Sequence, residues 1–280
     1  MPILPEFNLA GRRALLYTAG GDEAPILAQA LAEAGASVVV VSRKSPLAPP
    51  STSSGRGLYE RGEGNGLSVG ADLRVGPGQT HRPAPTGVTS MVADVTTPQG
   101  VSQVMAALES GGHWPVDILV NDARSFFAKP ASQISLAEWE AVQARNSRAV
   151  FLLCQALGAV MVRRGYGRIV NISSGLAERG LINGAAYCAS QASVLALTRA
   201  LALEWGPHNV RINALGTGWS SPQDTPPEVQ QQEQLVRYIP LRRRGRPRDI
   251  APLLVYLCSE VCDYVTGQPV YVDGGLNGRA

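Results

Sequence analysis

The sequence predicts one α/β domain built on a doubly wound parallel sheet, and three observations carry that prediction. Short unbroken runs of Val, Ile and Leu alternate with longer stretches of helical periodicity. Strands that are apolar on both faces are the kind covered by helices on both sides. The chain has 280 residues, 45% hydrophobic and 17% charged, which is enough for one sizeable core spanning residues 1–280. The four cysteines, Cys154, Cys188, Cys258 and Cys262, fall in apolar, helix-like stretches without a C-x-x-C pair, so they read as reduced core residues rather than staples or metal ligands.

Taken in order, residues 14–17, 37–41, 90–93, 118–120, 168–172, 210–215 and 270–272 read as about seven strands of a Rossmann-like sheet. Such sheets bind ligands beyond the carboxyl ends of their strands, so functional candidates lie just after these runs. Between the second and third runs the composition changes: residues 45–88 are rich in Gly, Pro, Ser and Arg and keep no helical period. This stretch reads as an irregular insertion, either a lid over the site or a surface loop.

Several function classes are excluded. The net charge is only +3, and the arginines are scattered except in Leu241-Arg242-Arg243-Arg244-Gly245-Arg246-Pro247-Arg248, so no stripe suited to nucleic acid exists. No segment reaches the ~18 uninterrupted apolar residues of a membrane helix, and the first residues carry neither a basic region nor an apolar run. A cytoplasmic protein with no metal site is expected.

The motifs follow the strands. They include Asp94-Val95, Asn121-Asp122-Ala123-Arg124, Asn146, Asn171-Ile172-Ser173-Ser174, Tyr187-Cys188-Ala189-Ser190-Gln191 and the ending Thr266-Gly267-Gln268-Pro269-Val270-Tyr271-Val272-Asp273-Gly274-Gly275. In this order, from Gly11 to the C-terminus with the insertion omitted, the chain resembles the short-chain dehydrogenase/reductase family. The resemblance implies that Ser174 and Tyr187, thirteen residues apart, hold a substrate oxygen, and that Asn146 orders a relay water. It also implies a lysine at position 191, which lowers the tyrosine's pKa. Gln191 stands there instead. A free tyrosine titrates near pH ~10, and a cation at ~4 Å in an effective dielectric of ~20 is worth roughly 4 kcal/mol, or about three pKa units. Without it Tyr187 stays a phenol, which can donate to a carbonyl but is a poor base for an alcohol.

Other departures fall on the dinucleotide side. The family's Thr-Gly-x-x-x-Gly-x-Gly loop is replaced, in one register by Ala19, Glu23 and Pro25 at the glycine positions, in the other by Thr18, Asp22 and Ala24. Either register sets a carboxylate where phosphate would meet a helix N-terminus. Arg124 replaces the glycine of Asn-Asn-Ala-Gly, and Thr217 replaces the proline after the sixth run. Arg124 either pairs with an anionic substrate group, fills the vacated cofactor space or points to solvent. Three positions match cofactor contacts should NADP(H) bind: Arg43, Asp94 and Asn121. Arg43 and Asp94 equally suit a strand end and a turn cap.

The expected function is accordingly a non-redox enzyme that needs no cofactor. Its Ser174/Tyr187 dyad would polarise a carbonyl or enol oxygen in a cyclisation, dehydration or isomerisation, for example of a polyketide-like natural product. The alternatives are an NADPH-dependent ketone reductase with atypical cofactor binding and a catalytically silent partner subunit. Arg124, Trp219 and Tyr238 are expected to line a pocket for an apolar small molecule bearing a carbonyl or hydroxyl. A homodimer or homotetramer formed through the helices at 136–162 and 187–205 is implied by the resemblance.

Overall fold

The computed structural model describes residues 7–20, 23–43, 69–70, 87–220 and 226–278. Among the described residues eight strands form one sheet: β1 (Arg13–Thr18), β2 (Ser37–Ser42), β3 (Val69–Gly70), β4 (Val88–Val92), β5 (Ile118–Asp122), β6 (Gly167–Ser174), β7 (Val210–Thr217) and β8 (Pro269–Val272). Their order is β3-β4-β2-β1-β5-β6-β7-β8, and every pairing except β3 with β4 is parallel. Seven parallel strands therefore match the predicted runs. The remaining strand comes from the irregular stretch, where Val69 and Gly70 pair antiparallel with Met91 and Ser90. Residues 44–68 and 71–86 lie outside the described residues, and with them the choice between lid and surface loop. Asp22 lies outside them too.

The helices are α1 (Ala24–Glu33), α2 (Pro98–Ser110), α3 (Leu136–Gln143), α4 (Ala149–Arg164), α5 (Leu176–Arg179), α6 (Ala185–Trp205), α7 (Pro227–Gln232), α8 (Gln234–Tyr238) and α9 (Pro247–Cys258). The two-residue period of the strands divides the core between the faces of the sheet. Leu15, Tyr17, Val39, Val41 and Leu119 pack with Val104 and Leu108 of α2, Leu153 and Leu157 of α4 and Val194 of α6. Leu16, Val38, Val40, Ile118 and Val120 pack with Leu27 and Leu31 of α1 and Ile250, Leu254 and Leu257 of α9. Each such side chain, buried, contributes roughly 1.5–3 kcal/mol, which fixes strands and helices to one another.

Helix ends follow local chemistry. Thr97 caps α2 through its side chain, which accepts from the Gly100 N–H, and Pro98 opens the helix where its missing N–H costs nothing. Ser135 and Glu138 form a reciprocal capping box at α3. Gly165, at φ 68°, ends α4 in the left-handed conformation. Between α3 and α4 the chain winds through a π-helical turn, Ala144–Arg148. The chain leaves β1 for β2 on one side and returns to β5 on the other, so the sheet's switch point lies between the carboxyl ends of β1 and β5, at Thr18 and Asp122.

Candidate active site

Ser174 is the last residue of β6 and Tyr187 lies in the first turn of α6, and the fold brings them together, close enough for the Ser174 hydroxyl to act on the ionisation of the Tyr187 phenol. Both are buried. The ring of Phe126, in the segment after β5, meets the Tyr187 ring edge-on at 5.1 Å between centroids, leaving the phenol between an aromatic wall and a serine. Burial raises the Tyr187 pKa, and the nearby Arg124 cation and Ser174 hydroxyl only partly oppose it. Tyr187 is thus a neutral donor at ordinary pH.

Gln191, one turn further along α6, is fully buried. Its Nε2 donates to the Ala123 carbonyl at 3.1 Å, and its Oε1 accepts from the Ser173 hydroxyl at 3.3 Å. The amide therefore ties α6 to the ends of β5 and β6 and leaves the tyrosine without a cation from its own helix. Asn146 lies in the π-helical turn, a device that often marks functional positions. Its side chain accepts from the Ser125 N–H at 3.0 Å and donates to the Ser125 carbonyl at 3.1 Å and to Ser190 Oγ at 2.9 Å. That arrangement fixes the segment carrying Arg124 and Phe126.

Arg124 does not point to solvent. Its Nε donates to Asp122 Oδ1 at 2.6 Å, its Nη1 to Thr217 Oγ1 at 2.7 Å and its Nη2 to Glu23 Oε2. The other Glu23 oxygen accepts from Ser220 Oγ at 2.5 Å. Burial opposes the charge on Arg124, but Asp122 and Glu23 outweigh it and the guanidinium stays cationic. Burial likewise opposes the charge on Glu23, while Arg124 and Ser220 hold its carboxyl below the ordinary range. One cation and two carboxylates thus form a network across the ends of β5 and β7 and the start of α1. Thr217 is the sheet partner of Ser174, so the guanidinium lies one strand away from the dyad.

The outer candidates are more dispersed. Arg43, exposed at the end of β2, approaches Asp94 at 3.7 Å. Asp94 Oδ1 also accepts from the N–H and hydroxyl of Thr96, at 3.1 and 2.7 Å, so it caps its own turn. Asn121 Nδ2 donates to Asn171 Oδ1 at 2.8 Å inside the core. Trp219 is partly exposed beside Ser220, with the Arg244 guanidinium 5.6 Å from its ring. Tyr238, on α8, is 58% exposed, and among the described residues no hydrogen bond, ion pair or ring contact joins it to the dyad. No group of three or more metal-ligating side chains occurs among the described residues, nor any helix long and apolar enough to cross a membrane. Sequence reasoning placed Ser220 in a segment lining or covering the pocket but missed its bond to Glu23, and it missed Phe126 altogether. Their places just past β5 and β7 were the available signal.

Comparison with known proteins decides the family. A family model described as enoyl-(acyl carrier protein) reductase matches residues 77–277. The chain is 32% identical over 276 residues to the 2-dehydro-3-deoxy-D-gluconate 5-dehydrogenase of Bacillus subtilis (strain 168), covering 98% of this chain and 97% of that protein. This chain belongs to the short-chain dehydrogenase/reductase family. It is also 30% identical to the L-xylulose reductase of Bos taurus, over 97% of this chain and 98% of that one. Its fold matches a crystal structure of a gluconate 5-dehydrogenase from Burkholderia cenocepacia J2315 in complex with NADP and tartrate, at 25% identity and a TM-score of 0.75, over 98% of both chains.

These likenesses correct three expectations. The non-redox reaction, the independence of any cofactor and the place in natural-product biosynthesis all give way, because the relatives are dehydrogenases and reductases and one of them holds NADP. The sequence reading left Arg124 to pair with an anionic substrate group, to fill the vacated cofactor space or to point to solvent. Folded, it is a buried cation at the switch point, paired with Asp122 and Glu23. The chain's family is one of oxidoreductase enzymes acting on small molecules.

The residues present fit a dinucleotide. Among the described residues five buried side-chain polar atoms have no hydrogen-bond partner, and three of them, the Tyr17 hydroxyl, Asn121 Oδ1 and Asp122 Oδ2, lie together near the switch point. All three belong to residues at the carboxyl ends of β1 and β5, and each unmet group costs about 1–3 kcal/mol, which a polar ligand would relieve. Gly20, two residues past the end of β1, has φ 111° and open space where a Cβ would stand, so its backbone is free for close approach.

Proposed function

We propose that this protein is an NADP(H)-dependent oxidoreductase that interconverts a small ketone and its secondary alcohol, with reduction the favoured direction. The observation that carries the reading is the Ser174–Tyr187 pair at the carboxyl edge of the sheet, with a neutral glutamine where a cation would make the tyrosine a base. Arg43, Gly20 and Asn121 would hold the nucleotide. Arg43 supplies the cation for a 2′-phosphate, and Gly20 supplies open backbone. When bound, the reduced nicotinamide supplies the hydride.

The chain's own residues do the rest. Ser174 and Tyr187 donate hydrogen bonds to the carbonyl oxygen and polarise it, and Tyr187 then gives that oxygen its proton. Asn146 holds Ser125, and through it the Arg124–Phe126 segment, against α6. Phe126 and Trp219 form the apolar part of the substrate pocket, with Tyr238 at its outer rim. Oxidation of the alcohol needs Tyr187 as a base, so it is slow at neutral pH. This is the sense in which the enzyme is a divergent and inefficient dehydrogenase. The sugar-acid and sugar substrates named for the relatives make a polyhydroxylated ketone the first class to try. The protein acts as a homodimer or homotetramer.

The test is a titration of NADPH and NADH into the protein, followed by nucleotide fluorescence, and then ketone reduction by wild type and Tyr187→Phe. Sub-millimolar binding of NADPH is expected. A fall of at least 10²-fold in kcat/KM is expected for the variant, within the usual range for a general acid. No binding of either nucleotide at millimolar concentration overturns the reading.

A further inference from the structure

The network around Arg124 holds more than a lost glycine explains. At the start of α1 the N–H groups that ordinarily receive a diphosphate are depleted. Pro25 has none, and the Ile26 and Leu27 N–H groups are already bonded to the Glu23 carbonyl at 3.0 and 3.1 Å. The helix therefore offers an anion little by itself. A cation stands in the same place: Arg124, fixed by Asp122 and Thr217 and closed on its third side by Glu23. Glu23 is buried, with both carboxylate oxygens occupied, one by Arg124 and the other by Ser220. A carboxylate bound to a guanidinium and a hydroxyl makes the contacts that a phosphate oxygen pair makes.

We infer that Arg124 is the diphosphate-binding cation of this site and that Glu23 is an internal anion holding its place, to be exchanged for the diphosphate when nucleotide binds. The inference rests on the reading that the protein binds NADP(H). Asp122 stays with Arg124 in both states, so the guanidinium keeps its position while its third side changes partner. Glu23 thereby sets the affinity for nucleotide. With the carboxylate present, the diphosphate has to displace a charge-assisted pair. With an isosteric amide, the displaced contact is weaker and one negative charge is gone.

A four-protein cycle tests this: wild type, Glu23→Gln, Arg124→Gln and the double variant, each assayed for NADPH binding by fluorescence and for the rise in melting temperature caused by inorganic pyrophosphate. Glu23→Gln should bind NADPH at least tenfold more tightly and gain a larger pyrophosphate shift. On the Arg124→Gln background both gains should vanish. Arg124→Lys, which keeps the cation beside Asp122, serves if the glutamine variants unfold, and should retain most of the Glu23→Gln gain. Equal or weaker binding by Glu23→Gln overturns the inference. So does a gain that survives removal of Arg124, which would make Glu23 a mere source of repulsion. If NADPH binds wild type and Glu23→Gln alike, the nucleotide reading stands and this inference falls. A pyrophosphate shift that follows the cycle while no nucleotide binds supports the anion exchange and overturns the nucleotide reading.

Discussion

In the proposed reaction the side chain of Gln191 sets the favoured direction, because it stands where a charge would be and keeps two contacts of its own. Its two hydrogen bonds bind α6 to β5 and β6, while the buried Tyr187 is left with its pKa raised. A lysine at 191 would enter beside a network that carries one cation and two carboxylates, so its charge would be compensated rather than repelled. Gln191→Lys should therefore lower the Tyr187 pKa, by about one to three units for a cation near ~4 Å. Oxidation needs the tyrosinate, so its rising limb should move to lower pH by that amount. Reduction needs the phenol, so it should lose activity first at the alkaline end. Rate profiles for both directions between pH 6 and about 10 check this, and an unmoved oxidation limb would show that the site supplies the missing charge by another route. Ser174, Tyr187 and Gln191 were legible in the sequence because their spacing along one helix and one strand end is local. The partnership of Glu23 with Arg124, 101 residues apart, was not. Nothing in spacing tells whether a carboxylate at the start of a helix and a guanidinium just past a strand act on a ligand independently or bind each other.

Among the elements, the parallel strands were legible because burial on both faces writes them as unbroken apolar runs, as in Val38 to Val41 of β2. The π-helical turn at Ala144–Arg148 was not, since one extra residue in a helix leaves no mark in composition, and two-residue β3 is too short to carry a period. The joint between β4 and α2 shows how tightly these elements are set. A Cβ at Gly100 would overlap the Asp94 carbonyl, which is backbone, whereas one at Gly158 in α4 would meet the Trp205 ring at the end of α6. Backbone cannot step aside as a ring can. Gly100→Ala should lose about 3 kcal/mol, the upper end of overpacking costs, and Gly158→Ala less. Thermal or urea denaturation of the two variants checks the ranking. Since Asp94 lies close to Arg43, Gly100→Ala should also weaken NADPH binding more than Gly158→Ala does.

Across the whole molecule, the site gathers at one edge of the sheet while apolar side chains remain uncovered on the helices. Phe151 of α4 is 44% exposed and Leu203 of α6 is 83% exposed, and Leu136 and Trp139 of α3 are open as well. These exposed apolar residues on neighbouring helices are the candidates for the association surface proposed above, and a net charge of only +3 opposes self-association weakly. Symmetric pairing places the same patch of each copy against the other, so two changes on that patch act twice per interface. Phe151→Glu with Leu203→Glu should convert a dimer or tetramer into a monomer, read by sedimentation equilibrium, with the far-ultraviolet circular dichroism of wild type retained. Because Tyr187 and Gln191 sit on α6 with Leu203, dissociation should also loosen the dyad and lower kcat more than it raises the KM for nucleotide, whose anchors lie at β1, β2 and β5. Wild-type protein that sediments as a monomer at micromolar concentration would remove the interface from the account and leave α6 to be held by the sheet alone.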